Sequence, residues 1–355
     1  MRDKFAEIEE KIYEGDRLSA KDGLFLFEHG DLLEIGMLSN LVRQRMHPEP
    51  VVTYIIDRNI NYTNICVAKC NFCAFYEKIG SDHGYVLNND QIAVKIDETL
   101  ALGGTQILMQ GGLNPALKIE FYEDLFRFIS INYPTIRIHS LSPAEITYIA
   151  KISKLSLEET LIRLKAAGLA SIPGGGAEIL VDEVRKKLNA NKTKTKDWLG
   201  VMETAHKMGM KTTATMMFGH VENFEHRIEH LLNIRNLQDH TRGFTAFIPW
   251  TYQPGNTELG GEETSAHDYL KTLSISRLML DNVPNIQVSW VTMGAKVAQL
   301  GLTFGGNDFG SLMIEENVVA AAGASFRMSL DELKRVISEA GYVPKKRDME
   351  YRILN

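Results

Sequence analysis

Cys66, Cys70 and Cys73 are the only cysteines in a chain of 355 residues, and all three lie within one stretch of eight. Neighbouring thiols would close only tiny loops and three cannot pair completely, so a disulfide framework is excluded. A local metal or redox site in a reducing compartment remains. The C-x3-C-x2-C spacing suits a cubane 4Fe-4S cluster, because three thiolate ligands leave one iron open to a small molecule. Two other readings use the same residues. A structural zinc ion wants four protein ligands, for which His83 is the nearest fourth donor, and three inert buried thiols would need no partner at all.

Ordered elements must deliver such a site. From about residue 51 the sequence alternates short apolar or β-branched runs with amphipathic stretches of ten or more residues. The runs predict strands at 51–56, 105–110, 136–141, 170–174, 212–218, 243–250 and 286–291, with a weaker one at 303–308. Helical patterns lie between them: DQIAVKIDETLALGG, where Ile92, Ile96 and Leu100 share a face, and others near 120–132, 156–167, 196–208, 223–239 and 266–281. Repeated β-α units with nearly continuous apolar strands imply a parallel sheet buried on both faces. Eight of them favour an α/β fold of the (β/α)8 TIM-type barrel kind. Residues 1–50 read as a helical extension, 51–328 as the barrel, and 329–355 as a C-terminal helix and tail. The alternative is an open doubly wound sheet, which should carry a phosphate-binding glycine fingerprint after its first strand; the cysteines stand there instead.

In a barrel the working groups sit in the loops at the carboxyl ends of the strands. The cysteine segment follows the first strand directly. MQGGLNP (109–115) ends the second, with Gly111 and Gly112 permitting close backbone approach. IPGGGAEIL (172–180) ends the fourth and brings Glu178 to that face. GGNDFGSLMIEEN (305–317) follows the last strand with Asp308 and Glu315; Asp308 serves there as a general base, a hydroxyl acceptor or a helix N-cap. His139, Trp250 and Tyr252 also fall at strand ends, where each serves the site or the core. HRIEH (226–230) has the H-x-x-E-H form of certain zinc proteases, but His226 and His230 share a face with Glu225, Glu229 and Asn233 and are expected to be solvated. The net charge of −6, without a long run of one sign, argues against nucleic acid or an anionic membrane as partner. A charged start, MRDKFAEIEEK, and no apolar run near about 18 residues predict a cytoplasmic protein.

C-x3-C-x2-C after the first strand of a barrel, with the aromatic Phe72 before the last cysteine, resembles the radical S-adenosylmethionine superfamily. The resemblance implies a 4Fe-4S cluster on Cys66, Cys70 and Cys73, whose open iron binds S-adenosylmethionine. Gly111 and Gly112 stand where that family has a GGE motif; Leu113 replaces the acid, so the methionine contact falls to backbone or to Gln110. Glu178 lies where related enzymes hold the ribose or amino group. TATMMFGHVE (213–222) is similar to the GxIxGxxE segment, with Thr215, Met217, Gly219 and Glu222 in register and Met217 near the adenine.

Within the superfamily, YTNICVAKCNFCAFY, GGTQILMQGGL, IPGGGAEIL and GGNDFGSLMIEEN resemble the group of futalosine-pathway and deazaflavin-cofactor enzymes. AHKMGMKTTATMMFGHVE and RGFTAFIPWTYQP favour a ring-closing member of menaquinone biosynthesis over its sister activities. The implied reaction takes hydrogen from ribose C4′ of a small-molecule substrate, adds the carbon radical to an attached benzoate ring, and releases a proton and an electron. A base is therefore required, with Asp308, Glu178 and His139 as candidates. Tyr252 and Asp308 are expected at the substrate, and its carboxylate wants a cation, for which Arg58 and Arg277 stand out. An external one-electron donor such as flavodoxin or ferredoxin is implied as a partner. A non-catalytic iron-sulfur carrier and a zinc-binding module are the competing classes.

Overall fold

The computed structural model describes residues 2–189, 193–324 and 326–354. Three helices, Arg2–Glu14, Ala20–His29 and Leu32–Met46, come before any strand. Their starts are set by side chains: Ser19 and Asp22 form a reciprocal capping box, and Asp31 accepts from the N–H groups of Leu33 and Glu34. Strands follow as β1 (Val51–Ile55), β2 (Asn59–Ile60), β3 (Gln106–Met109), β4 (Arg137–Ser140), β5 (Leu169–Ile172), β6 (Lys211–Phe218), β7 (Phe244–Thr251), β8 (Asn285–Ile286), β9 (Asp308–Ser311) and β10 (Val343–Lys346). Every pairing between them is parallel.

Seven strands, β2 through β8, pair in chain order, and β10, β1 and β9 form a second sheet. The two sheets share a seam at each end. β1 and β2 are one extended run broken at residues 56–58: along one edge Ile56 O and Arg58 O accept from Thr105 and Leu108, and along the other Ile55 O and Asp57 O accept from Leu312 and Ile314. At the opposite seam Gln287 bridges to Asp308, and Val288 N donates to Asp308 O at 2.9 Å. The result is the expected ring of eight parallel β-α repeats, its broken first strand counted once. Helices flank it outside. Ala266–Met279 is buried from Tyr269 to Met279, because the helices Ala20–His29 and Leu32–Met46 pack on it from the solvent side; a helix covered all round has no need of a polar face.

Three segments depart from the sequence reading. The seventh run ends after Ile286 because Trp290 begins a helix, Trp290–Gly301. The weak run at 303–308 is mostly a turn, with Gly305 at φ 98°, and the strand it announces is Asp308–Ser311. The tail does more than follow the last helix, Leu330–Glu339: β10 pairs with β1 from Val51 to Tyr54, occupying the edge that β3 reaches only further along. Among the described residues no helix is long and apolar enough to cross a membrane.

Candidate active site

The loop after β2 carries the three cysteines, each half-buried and none of them in a disulfide. Its backbone is clipped to the loop after β3: Val67 N donates to Leu113 O at 3.0 Å, and Leu113 N donates to Cys66 Sγ at 3.2 Å. The Asn189 amide donates to Cys70 Sγ at 3.3 Å, so two of the sulfurs already accept N–H groups of the kind that stabilise a bound thiolate. Gly111 and Gly112 make this approach possible. A Cβ on Gly111 would lie 2.6 Å from the Tyr62 ring, and one on Gly112 would lie 2.8 Å from Cys66 Cβ. Burial pushes the Cys73 thiol up to about 11, so it keeps its proton until a metal displaces it. A thiol-only donor set with N–H groups aimed at its sulfurs fits a cubane cluster. It fits zinc less well, because His83, the nearest fourth donor, is exposed.

Inside the ring lies a cavity of about 340 Å³, within the range of small-molecule sites. Phe72 of the cysteine loop borders it at one end and Arg347 and Tyr351 of the tail at the other. Gln110, His139 and Glu178 also line it. His139 Nδ1 sits 2.9 Å from Ser171 Oγ, and burial depresses its pKa to about 3, which makes it a neutral hydrogen-bonding group and a weak base. Asp57 was not foreseen. Its carboxylate borders the cavity and accepts from Ser311 Oγ and Gln106 Nε2, yet burial raises its proton affinity above the ordinary carboxylate level. The only local signal is an acid at the end of an apolar run, in the break between β1 and β2.

The glycine run after β5 packs against β6. A Cβ on Gly174 would meet Thr215 N at 2.6 Å, while Gly174 N and O bond Thr213 Oγ1 and Thr215 Oγ1 at 3.2 and 2.7 Å. Arg185, on the helix Asp182–Leu188, holds the run from outside by donating to the carbonyls of Gly176, Ala177 and Thr193. Glu178 is thereby fixed in a buried, left-handed conformation with φ 40°. His230 anchors the next turn: its Nδ1 accepts from Leu180 N at 2.9 Å. The expectation of a solvated HRIEH face is thus corrected, since residues 177–181 fold over the helix Phe224–Thr241 and bury His230 completely, while Glu225 and Glu229 stay exposed.

Other expected site residues lie elsewhere. Asp308 is fully buried and saturated by Arg347, Thr53 Oγ1 and Gly310 N, so it is neither a free base nor a substrate contact. Arg58 turns outward to Glu98 at 2.6 Å and Lys95 O at 3.1 Å. Arg277 is held among carbonyls and Asn307 behind Gly305. Tyr252 points into its own loop, bonding Thr257 Oγ1 and Gly260 O; Trp250 is the residue of that segment which borders the cavity. Glu315 pairs with Lys95 at the surface. Glu222 folds back on Gly219 N and His220 N at 2.7 and 2.9 Å and on Arg227, bracing the turn after β6. Met217 is buried on that strand, on the same side as Thr213 and Thr215.

Comparison with known proteins agrees with this geometry. Residues 60–234 match the model of the radical SAM superfamily, and residues 241–355 match the CofH/MqnC C-terminal region. A cyclic dehypoxanthine futalosine synthase of Halalkalibacterium halodurans is 48% identical, covering 98% of this chain and 94% of that protein. Another of that name from Streptomyces coelicolor is 44% identical over 95% of this chain and 86% of its own length. A 5-amino-6-(D-ribitylamino)uracil–L-tyrosine 4-hydroxyphenyl transferase of Methanococcoides burtonii is 42% identical, with 98% of each chain covered. The crystal structure of methylornithine synthase shares the fold, with a TM-score of 0.74, 18% identity, and 95% and 97% of the two chains covered. With the cysteine loop, the lumen and near full-length similarity in agreement, the chain belongs to the radical S-adenosylmethionine superfamily, in the branch that carries the CofH/MqnC C-terminal region.

Proposed function

We propose that this radical S-adenosylmethionine enzyme cyclises dehypoxanthine futalosine to cyclic dehypoxanthine futalosine in menaquinone biosynthesis. Similarity along almost the whole chain to two relatives of that name carries the reading. A lumen of suitable size inside the strand ring supports it, because a carbon radical must be kept from water and stray hydrogen donors.

Cys66, Cys70 and Cys73 hold the cluster. With S-adenosylmethionine bound, that group supplies a 5′-deoxyadenosyl radical able to take the C4′ hydrogen. Phe72, Gln110 and the braced run from Gly174 to Glu178 enclose the cofactor end. Ring closure onto the benzoate then leaves a proton to be taken by a base and an electron to be passed to a one-electron acceptor. Asp57 is the carboxylate best suited to take the proton: it faces the lumen, and burial raises its proton affinity above the ordinary carboxylate level. Glu178, further toward the cofactor segments, is the other carboxylate expected at the reacting groups. His139 orients by hydrogen bonding as a neutral ring.

The test is anaerobic reconstitution with iron and sulfide, reduction, and addition of S-adenosylmethionine with dehypoxanthine futalosine. The expected products are 5′-deoxyadenosine and a cyclised nucleoside. No 5′-deoxyadenosine would overturn the cyclase reading, and cleavage without cyclisation would point to an aminofutalosine or deazaflavin-cofactor synthase. Cys70→Ala is expected to lose the cubane signature in its electron paramagnetic resonance spectrum, along with all cofactor cleavage.

A further inference from the structure

The lumen has a floor, and the C-terminal tail makes it. Arg347 follows β10 and its backbone N–H donates to Tyr54 O, level with the start of β9 and well before the chain reaches the cysteine loop; Met349 and Tyr351 come next, and all three border the cavity. Arg347 is the one lysine or arginine among the described residues lining that cavity, and it is only 5% exposed. Its guanidinium is locked in place. Nε donates to Asp308 Oδ2 at 2.6 Å and Nη2 to Asp308 Oδ1 at 2.9 Å. Nη2 also reaches Tyr351 Oη at 3.2 Å, and Nη1 reaches Asp348 O at 3.1 Å. The Tyr351 ring lies 3.8 Å beneath Arg347 Cζ. Of five N–H groups, four are thus engaged and one on Nη1 remains. Tyr351 accepts from Arg347 and keeps its own phenolic proton to give.

We infer that Arg347, with Tyr351 beside it, anchors the aryl carboxylate of the substrate on the lumen floor, and that Asp308 is the residue that positions it. This rests on the cyclisation reading. An aryl carboxylate taken to the bottom of the lumen needs charge-assisted donors, since burying it unpaired is strongly unfavourable. Arg58 and Arg277 cannot supply them, because both are committed outside the lumen. With its other N–H groups engaged, Arg347 still offers the remaining N–H on Nη1, and Tyr351 offers its hydroxyl proton, so the two together can hold a second carboxylate. Asp308, pinned by Thr53 and Gly310, fixes the guanidinium in direction. The placement also separates tasks along the barrel: the carboxylate is held at the tail end, the ring lies beside Asp57, and the ribose reaches toward the cysteine end.

The test compares dehypoxanthine futalosine with its benzamide analogue on the cluster-loaded enzyme, by calorimetric binding as well as turnover. Wild type is expected to prefer the carboxylate by roughly 10- to 100-fold, the scale of one buried charge-assisted contact. Arg347→Gln should erase the preference at unchanged iron and sulfide content, Arg347→Lys should restore part of it, and Tyr351→Phe should reduce it several-fold. Because Arg347→Gln alone strands a buried carboxylate, the paired variant Arg347→Gln with Asp308→Asn keeps the floor neutral and folded. If that variant binds the two ligands with the wild-type preference, the anchor is overturned alone. A wild-type protein that neither binds nor converts dehypoxanthine futalosine overturns the cyclisation reading and the anchor with it.

Discussion

Asp57 illustrates how one side chain is tuned by its surroundings. Burial favours its neutral form, and this outweighs the bonds from Ser311 and Gln106 and the field of Arg347 that favour the charge. The sign follows directly: a carboxylate whose folded pKa is raised stabilises the fold at low pH and loses that contribution as pH rises through the folded value. Asp57→Asn is therefore expected to unfold in urea at pH 7.5 no earlier than wild type. If Asp57 takes the ring proton, product formation should fall about 100-fold while 5′-deoxyadenosine still forms. Full activity in this variant would transfer the role to Glu178. In sequence Asp57 is simply a polar residue at the end of an apolar run; its meaning depends on Ser311, brought beside it from 254 positions away.

At the scale of elements, two short loops carry most of the site. The approach of the loop after β3 to the cysteine loop leaves no room for a side chain at residue 112. Gly112→Val is expected to abolish cluster assembly, read by iron content and visible absorbance, with little change in helical circular dichroism. Arg185 works one layer further out, binding three carbonyls on either side of the glycine run and its own helix. Arg185→Met should weaken S-adenosylmethionine binding about tenfold at normal cluster content, because Glu178 loses its brace. The strands and most helices were legible from period and capping alone. The helices Pro143–Ser153 and Asp182–Leu188 were not anticipated, and the misread strands are short ones whose length was fixed by a helix start at Trp290 or a turn at Gly305 rather than by their own composition.

At the scale of the whole molecule, burial of neutral histidines couples stability to pH. His139 and His230 are held near 3 and His206 near 4 by burial, against an ordinary value of 6.5. Their folded pKa values are depressed, so the stabilisation is complete above about pH 6.5 and drains away as pH falls toward 4 and 3. Each histidine should cost about 1.4 kcal/mol per pH unit in that window. Urea unfolding at pH 7.5 and 5.5 should show this loss, and His230→Gln should make it shallower. A pH-independent midpoint would contradict the arrangement.

By itself the sequence determined the three-thiol donor set, the alternation of strand and helix and therefore the barrel, and the glycines that let loops close on a cofactor. These are local properties, set by residue type and by periods of two or about 3.6. Only the tertiary structure decided which polar groups face the lumen. It turned Arg58 and Arg277 away, saturated Asp308, buried His230, and brought Arg347 from the far end of the chain to the floor. Those outcomes depend on how sheet edges meet and on where buried charges find partners. Both are set by contacts between residues from 30 to 255 positions apart, which no local pattern in the chain encodes.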